Sequence, residues 1–337
     1  MSKKITFIAE AGVNHNGSIK KALKLVDIAA KAGADYIKFQ VTNSSLISKV
    51  AKKTNYQKKF TKNSKENQHD MIKKIEFNWD EAHKKIIKRC NKKKIGFLTS
   101  AFCIEDAAKV RKLKVKMFKI PSGEITNIPL LKYIGSLNKK TLLSTGMSSI
   151  KEIDTAFNIL LKSGLNRKNL IILQCTSAYP TPIQDLNLHT IRFFKKRYKV
   201  DVGLSDHSLG TLAPIAAIGL GANYIEKHFT ISKKLIGPDH KMSLSPKELS
   251  NLVKDIRNTN ISLGSYFKKI CKSEKINKVL VRQSIHAKSK INKGEIFSKN
   301  NLILKRPGNG LPPEKLNILI GKKSKKNYLA DQIIKKI

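Results

Sequence analysis

ITFIAEAGVNHNGSIKKALKLVDIAAKAGADYIKFQ, residues 5–40, decides the fold. Two apolar runs, ITFIAE at 5–10 and ADYIKFQ at 34–40, flank a segment in which Ala22, Leu25, Val26 and Ala29 recur at spacings of three and four. Ser18 supplies an N-cap and Gly33 a stop, so the segment between the runs is predicted to be an amphipathic helix joining two parallel strands. The alternation continues through IGFLTS (95–100), VKMFKI (115–120), KTLLST (140–145), LIILQCT (170–176), VDVGLS (200–205) and ANYIEKHF (222–229). Eight such units over about 250 residues predict an α/β fold, a (β/α)8 TIM barrel. A doubly wound sheet needs fewer strands and a Gly-rich first turn, and EAGVNHNG lacks the dinucleotide spacing. One connection, 41–79, is too long for a simple βα loop and is expected to cover the active site.

The helical periodicity fades after this barrel. Residues 1–260 are expected to form the barrel domain, 261–279 a linker and 280–337 a small C-terminal domain with little core of its own. Such a module should dock on a barrel surface, its own or that of a second subunit.

Of the 337 residues, 40% are hydrophobic and 27% charged, which excludes a disordered or low-complexity chain. Sixty-seven basic residues against 24 acidic ones give a formal charge of +43, which invites a nucleic-acid or anionic-membrane reading. The charge is nearly all lysine, spread from end to end, whereas base-edge readers rely on arginine forks. A solvated lysine surface accounts for it, and no dedicated nucleic-acid partner is expected. Cys90, Cys103, Cys175 and Cys271 are far apart, without the spacing of a disulfide framework or a thiolate zinc cluster, so a reducing cytoplasm fits. The first residues hold no secretory apolar region and no later run could cross a bilayer, so no membrane partner is expected.

In such barrels the active site is built at the C-terminal strand ends, and polar residues collect there. Glu10 ends the first run, Lys38 and Gln40 the second, Thr99 and Ser100 the third, and Lys119 the fourth, with Ser122 and Glu124 just beyond. Ser144 ends the fifth, Cys175 to Tyr179 with Ser177 the sixth, Ser205 to His207 the seventh, and Glu226 with His228 the eighth. Two lysines, the hydroxyls of Thr99, Ser122 and Ser144 and the amide of Gln40 suit a small polyanion, because charge-assisted donors offset the desolvation of its oxygens. His207 and His228 lie on adjacent strands and can share one metal, with Asp206, Glu226 and Asp239 as further ligands or supporting groups. Nitrogen and oxygen donors make Mn²⁺ as reasonable as Zn²⁺. Glu124 is a candidate general acid or base.

IAEAGVNHNGS (8–18), AGADYIKFQ (32–40), FKIPSGEITNIPLL (118–131), LLSTGM (142–147), QCTSAYPTP (174–182), VGLSDHSLG (202–210), IEKHFT (225–230) and GPDHKMSL (237–244) together resemble the sialic acid synthase family. These N-acetylneuraminate synthases condense phosphoenolpyruvate with an N-acylated hexosamine. The resemblance covers nearly the whole chain. It implies a barrel followed by a small antifreeze-like (SAF, β-clip) domain, and a domain-swapped homodimer in which Arg306 of KRPGNG reaches the neighbouring sugar site. By the same resemblance, Lys38, Thr99, Lys119, Ser122, Ser144, Tyr179 and Ser205 match positions that hold the phosphate and carboxylate of phosphoenolpyruvate. Ser177 stands where some bacterial members have asparagine, and can still donate one hydrogen bond. Glu10, Gln40, Glu124 and Asp239 match residues around the amino sugar and the metal. Glu124, Glu10 and Asp239 are the expected catalytic set. His207 and His228 match ligands of Mn²⁺, with Mg²⁺ or Co²⁺ as the other ions considered. The implied reaction gives N-acetylneuraminate from N-acetylmannosamine. Its alternative gives N,N'-diacetyllegionaminate from a 2,4-diacetamido hexose. Phosphate leaves by C–O cleavage, and no lysine forms a Schiff base. A lysine-dependent or metal aldolase and a polyanion-binding protein are the competing readings.

Overall fold

A computed structural model of the chain describes residues 4–60 and 65–336. Its parallel strands are β1 (Thr6–Gly12), β2 (Tyr36–Gln40), β3 (Gly96–Ser100), β4 (Met117–Ile120), β5 (Lys140–Ser144), β6 (Leu170–Cys175), β7 (Asp201–Asp206) and β8 (Tyr224–His228). They pair in sequence order, and β8 pairs back on β1 to close the barrel. All eight fall on the apolar runs read from the sequence.

Each strand is buried on both faces, which is why the runs are nearly continuous. Outward, side chains such as Phe7, Phe39, Phe118 and Ile225 pack against the helical layer. Inward, Ile8, Leu98, Met117, Leu142, Leu173 and Tyr224 form an apolar floor. A strand repeats every two residues, so the next inward positions are two further on. There the chemistry changes: Glu10, Ser100, Lys119, Ser144, Cys175 and Glu226 form a polar storey above the floor.

The crossover helices are α1 (Ile19–Lys31), α2 (Asn55–Phe60), α3 (Gln68–Lys73), α4 (Trp79–Lys93), α5 (Ile104–Lys112), α6 (Ile128–Ser136), α7 (Ile150–Lys162), α8 (Thr190–Tyr198), α9 (Leu212–Gly219) and α10 (Pro246–Ser262). Their starts are set locally. Ser18 accepts from the Lys21 N–H ahead of α1, and Ser149 with Glu152 and Ser245 with Glu248 form capping boxes on α7 and α10. Ala22, Leu25, Val26 and Ala29 are the buried stripe of α1, as their spacing predicts. At the barrel floor Arg257 of α10 donates to Ile5 O and to Asp35 Oδ2, each at 2.6 Å, and Asp35 Oδ2 also accepts the Phe7 N–H at 2.9 Å. This clamp ties the last helix to the first two strands.

Residues up to Gly264 form one compact unit and those from Ser265 a second. In the second, α11 (Lys272–Val281) precedes an antiparallel pair, β9 (Ser284–Ala287) and β10 (Leu302–Lys305), and α12 (Leu316–Leu319) follows. Ile285, Ile291, Phe297, Leu302, Leu319, Tyr328 and Ile334 make a small core. The stretch expected to be linker thus holds the end of α10 and most of α11. Ile276, Val279 and Leu280 of α11 stand at helical spacing but are exposed, and the helix start is marked by the Cys271 N–H donating to Glu274. All four cysteines are free. Among the described residues no helix is long and apolar enough to cross a membrane.

Candidate active site

Above the polar storey lies a cavity of about 290 Å³. At its base Lys119 Nζ sits 3.0 and 3.1 Å from the two carboxylate oxygens of Glu226, and Lys38 Nζ sits 2.9 Å from Glu10 Oε1 and 3.6 Å from Glu226 Oε1. Lys38 also donates to Ser100 Oγ at 3.2 Å, Ser205 Oγ to Glu226 at 3.1 Å and Gln40 Nε2 to Glu10 at 3.0 Å. Two ammonium and two carboxylate groups are therefore buried together, an arrangement tolerable only because each charge is paired. Burial would raise Glu226, but Lys119 and Lys38 outweigh it and hold that carboxyl well below the usual range. Burial pushes Lys119 down, whereas for Lys38 the opposing pull of Glu10 and Glu226 wins and raises it. Glu10 is raised by burial, which the lysine only partly offsets, and by repulsion from Glu226. The two ammonium groups remain charge-assisted donors that an anion at the mouth could share.

Three wall atoms are buried without a protein partner: Ser144 Oγ, Glu10 Oε2 and His228 Nδ1. Buried polar groups are seldom left so, and these mark where a ligand would complete the site. The wall also needs Gly146. A Cβ there would meet Ser177 Oγ at 2.2 Å and Ser122 Oγ at 2.9 Å, and the Gly146 N–H donates to Ser122 Oγ at 2.9 Å. The rim is aromatic, with Tyr179 4.2 Å from the His207 ring and 4.8 Å from Tyr56, measured between centroids. Tyr56 and Thr54 come from the long 41–79 connection, which therefore does reach the site. Residues 61–64 of that connection lie outside the described residues.

Of the residues singled out in the sequence, Glu10, Lys38, Gln40, Lys119, Ser122, Ser144, Ser177, Tyr179, Ser205, His207 and His228 line this cavity together. Four do not. Thr99 points the other way, because Leu98 and Ser100 occupy the inward positions of β3, and its hydroxyl turns toward its own strand, 3.4 Å from Ser100 O. Glu124 ends a short 3-10 turn (Ser122–Glu124), accepts from Asn127 Nδ2 at 2.7 Å and faces an adjoining pocket. Asp239 is buried just outside the cavity, 3.7 Å from His228 Nδ1, and burial with repulsion from Glu10 pushes it up to about 7. Arg306 is exposed in the second unit, just after β10. Ser100 lines the cavity from the strand end where the sequence placed it, Tyr56, Thr54 and Phe102 line it without having been chosen, and Glu226 is the counter-charge of both lysines. The aromatic in the excursion carries no signal of its own.

The imidazoles suit a divalent ion. His207 Nδ1 lies 2.9 Å from Thr176 O, so it carries the proton there and leaves Nε2 as the lone-pair nitrogen. His228 is held neutral by burial and by the neighbouring cations, and its ring centroid is 5.3 Å from that of His207. Two of the expected helpers are engaged elsewhere. Asp206 pairs with Lys227 at 2.5 Å, and Glu226 pairs with Lys119. Among the described residues no three His, Cys, Asp or Glu side chains are gathered to hold an ion. Two imidazoles would anchor it, and substrate oxygens or water would supply the rest.

A closed (β/α)8 barrel whose mouth buries paired lysines beside two imidazoles defines a class of enzyme that handles small anionic substrates. Residues 25–268 match the NeuB family and residues 282–336 match the SAF domain. The chain is 47% identical over 334 residues to an N,N'-diacetyllegionaminic acid synthase of Campylobacter jejuni, spanning 99% of both chains. It is 40% identical to the enzyme of the same name from Legionella pneumophila, over 96% of this chain and 91% of that one. Among solved structures it resembles an N-acetylneuraminic acid synthetase of Leptospira borgpetersenii crystallised with citrate, at 34% identity and a TM-score of 0.70, over 81% of this chain and 90% of that one. The chain belongs to the NeuB family of sialic-acid-type synthases and carries a C-terminal SAF domain.

Proposed function

We propose that the chain is a phosphoenolpyruvate-dependent synthase that adds the three-carbon unit to the open-chain aldehyde of a 2,4-diacetamido hexose, forming N,N'-diacetyllegionaminate and phosphate. The observation that carries the reaction class is the Lys38–Glu10 and Lys119–Glu226 network beside the hydroxyls of Ser122, Ser144 and Ser205. The acceptor follows the Campylobacter jejuni and Legionella pneumophila relatives, both N,N'-diacetyllegionaminic acid synthases by name, which favours the diacetamido sugar over N-acetylmannosamine.

In this reading Lys38 and Lys119 exchange part of their contact with carboxylates for phosphate and carboxylate oxygens of the substrate, and the Ser144 hydroxyl gains the partner it lacks. Carbon 3 of phosphoenolpyruvate attacks the aldehyde carbon, whose oxygen becomes an alkoxide that takes up a proton to give the hydroxyl, leaving positive charge at carbon 2. Water adds to carbon 2, and the tetrahedral intermediate loses phosphate by C–O cleavage. Glu10 takes the proton that water gives up, because its Oε2 is without a protein partner at the cavity wall and burial raises its carboxyl above the ordinary value. Glu124 faces away from the cavity, so this role moves from Glu124 to Glu10. A divalent ion held by His207 and His228, with Mn²⁺ the leading choice, would supply Lewis-acid polarisation of the sugar carbonyl.

The rim also supports a homodimer. Met147, Ile183, Leu209 and Leu212 follow the ends of β5, β6 and β7 and are exposed, an apolar collar of the kind that marks an interaction surface. A second copy covering it, with its Arg306 reaching the sugar, is the assembly we infer. Light scattering that read a monomer at micromolar concentration would overturn this. The four free cysteines suit a reducing cytoplasm. Phosphate release from phosphoenolpyruvate with each purified sugar tests the function. The diacetamido sugar should exceed N-acetylmannosamine about tenfold or more, and no release with either would overturn the reading.

A further inference from the structure

Behind Gln40 and Phe102 a second cavity, of about 430 Å³, adjoins the first and shares those two side chains with it. Its wall is apolar at Val41, Ile47 and Ile72 and polar at Thr42, Gln57 and Glu124. Thr42 is only 8% exposed, and its Oγ1 is buried with no protein partner. A hydroxyl left so in a cavity wall points to a ligand.

The lining selects the ligand's chemistry. It contains no lysine or arginine among the described residues, and it includes the Glu124 carboxylate, so phosphate or carboxylate would be repelled. Sugar hydroxyls alone could bond Asn43, Gln57 or Gln68 but would leave the Val41, Ile47 and Ile72 wall uncovered. An acylamino group satisfies both halves: its N–H and C=O need one acceptor and one donor, and its methyl needs an apolar wall. Glu124 provides the acceptor and Thr42 Oγ1 the donor.

We propose that this side pocket receives the second acylamino arm of the acceptor sugar, and that Thr42 and Glu124 with the Val41, Ile47 and Ile72 wall set the preference for a diacylamino over a monoacylamino sugar. The inference rests on the synthase reading, and it gives Glu124 a binding role.

The test compares phosphate release with the 2,4-diacetamido hexose and with N-acetylmannosamine in the full-length protein and in Thr42→Val and Ile47→Phe, each checked for an unchanged melting curve. Thr42→Val removes only the hydroxyl, and Ile47→Phe fills the pocket. The ratio of kcat/KM for the two sugars should fall about tenfold in the first, mainly through KM, and further in the second. A ratio unchanged in both variants, or a native protein that prefers the monoacetamido sugar, overturns the pocket. If the native protein releases no phosphate with either sugar, the synthase reading fails separately. Calorimetric titration with the two sugars then decides the pocket: tighter diacetamido binding that Thr42→Val abolishes supports it, and equal binding of the two overturns it.

Discussion

Lys119 Nζ contacts both carboxylate oxygens of Glu226, at 3.0 and 3.1 Å, although the two residues stand on β4 and β8, across the barrel from each other. Both are buried, so each charge persists only because it is paired, Glu226 with Lys38 as well. Glu226→Gln leaves two ammonium groups against one carboxylate. Stability should fall by roughly 3–5 kcal/mol, read as a lower melting temperature, because an uncompensated charge is left inside the protein. Phosphoenolpyruvate should then raise the melting temperature more in the variant than in the native protein, since the anion replaces the missing counter-charge. Equal melting temperatures would contradict the account.

Removing a lysine acts on turnover. Lys38→Met and Lys119→Met should each lower kcat/KM by about a hundredfold or more, as truncating one partner of a buried charged contact costs roughly 2–5 kcal/mol. Borohydride added during turnover should leave both lysines unmodified, as judged by mass spectrometry. An adduct on either would mean a Schiff-base mechanism.

Replacing His207 and His228 together with alanine should abolish turnover that a divalent ion restores after chelator treatment. Direct titration of Mn²⁺ should show binding to the native protein and none to the double variant. Undiminished binding would place the ion elsewhere.

The clamp at the barrel floor makes stability depend on pH. Burial alone would raise the Asp35 carboxyl, but the Phe7 N–H, Arg257 and Lys4 outweigh it and hold it below its usual value. A carboxyl lowered by folding adds stability above its unfolded value near 4 and loses it as pH falls through the folded value. Asp35→Asn should therefore melt a few degrees lower than the native protein at pH 7, with the gap closing below about pH 4. A gap independent of pH would show that the charge is not what the clamp uses.

The barrel was legible because parallel strands buried on both faces leave apolar runs of fixed length, and because the change from Leu98 to Ser100 or from Leu142 to Ser144 announces the mouth. Which of two neighbouring hydroxyls faces inward was not legible at β3, where Phe97 with Thr99 and Leu98 with Ser100 both read as apolar followed by polar. Only closure against β2 and β4 sets that parity. Pairings across the barrel were equally hidden. Glu226 read as a metal ligand or supporting group beside His228, and nothing local says that Lys119 pairs with it. Nor was it legible that Glu124, at the end of the 3-10 turn after β4, lines the side pocket while Ser122 lines the main cavity. The reach of Tyr56 onto Tyr179 belongs to the long connection, whose path depends on packing rather than on period.

The central claim is that water attacks carbon 2 of the condensed product while the lysines only hold charge. Turnover of phosphoenolpyruvate and the diacetamido sugar in ¹⁸O-labelled water tests it, with mass spectrometry of both products. The label should appear at carbon 2 of the sugar acid and be absent from the phosphate. Label found mainly in the phosphate would mean P–O cleavage and would contradict the account.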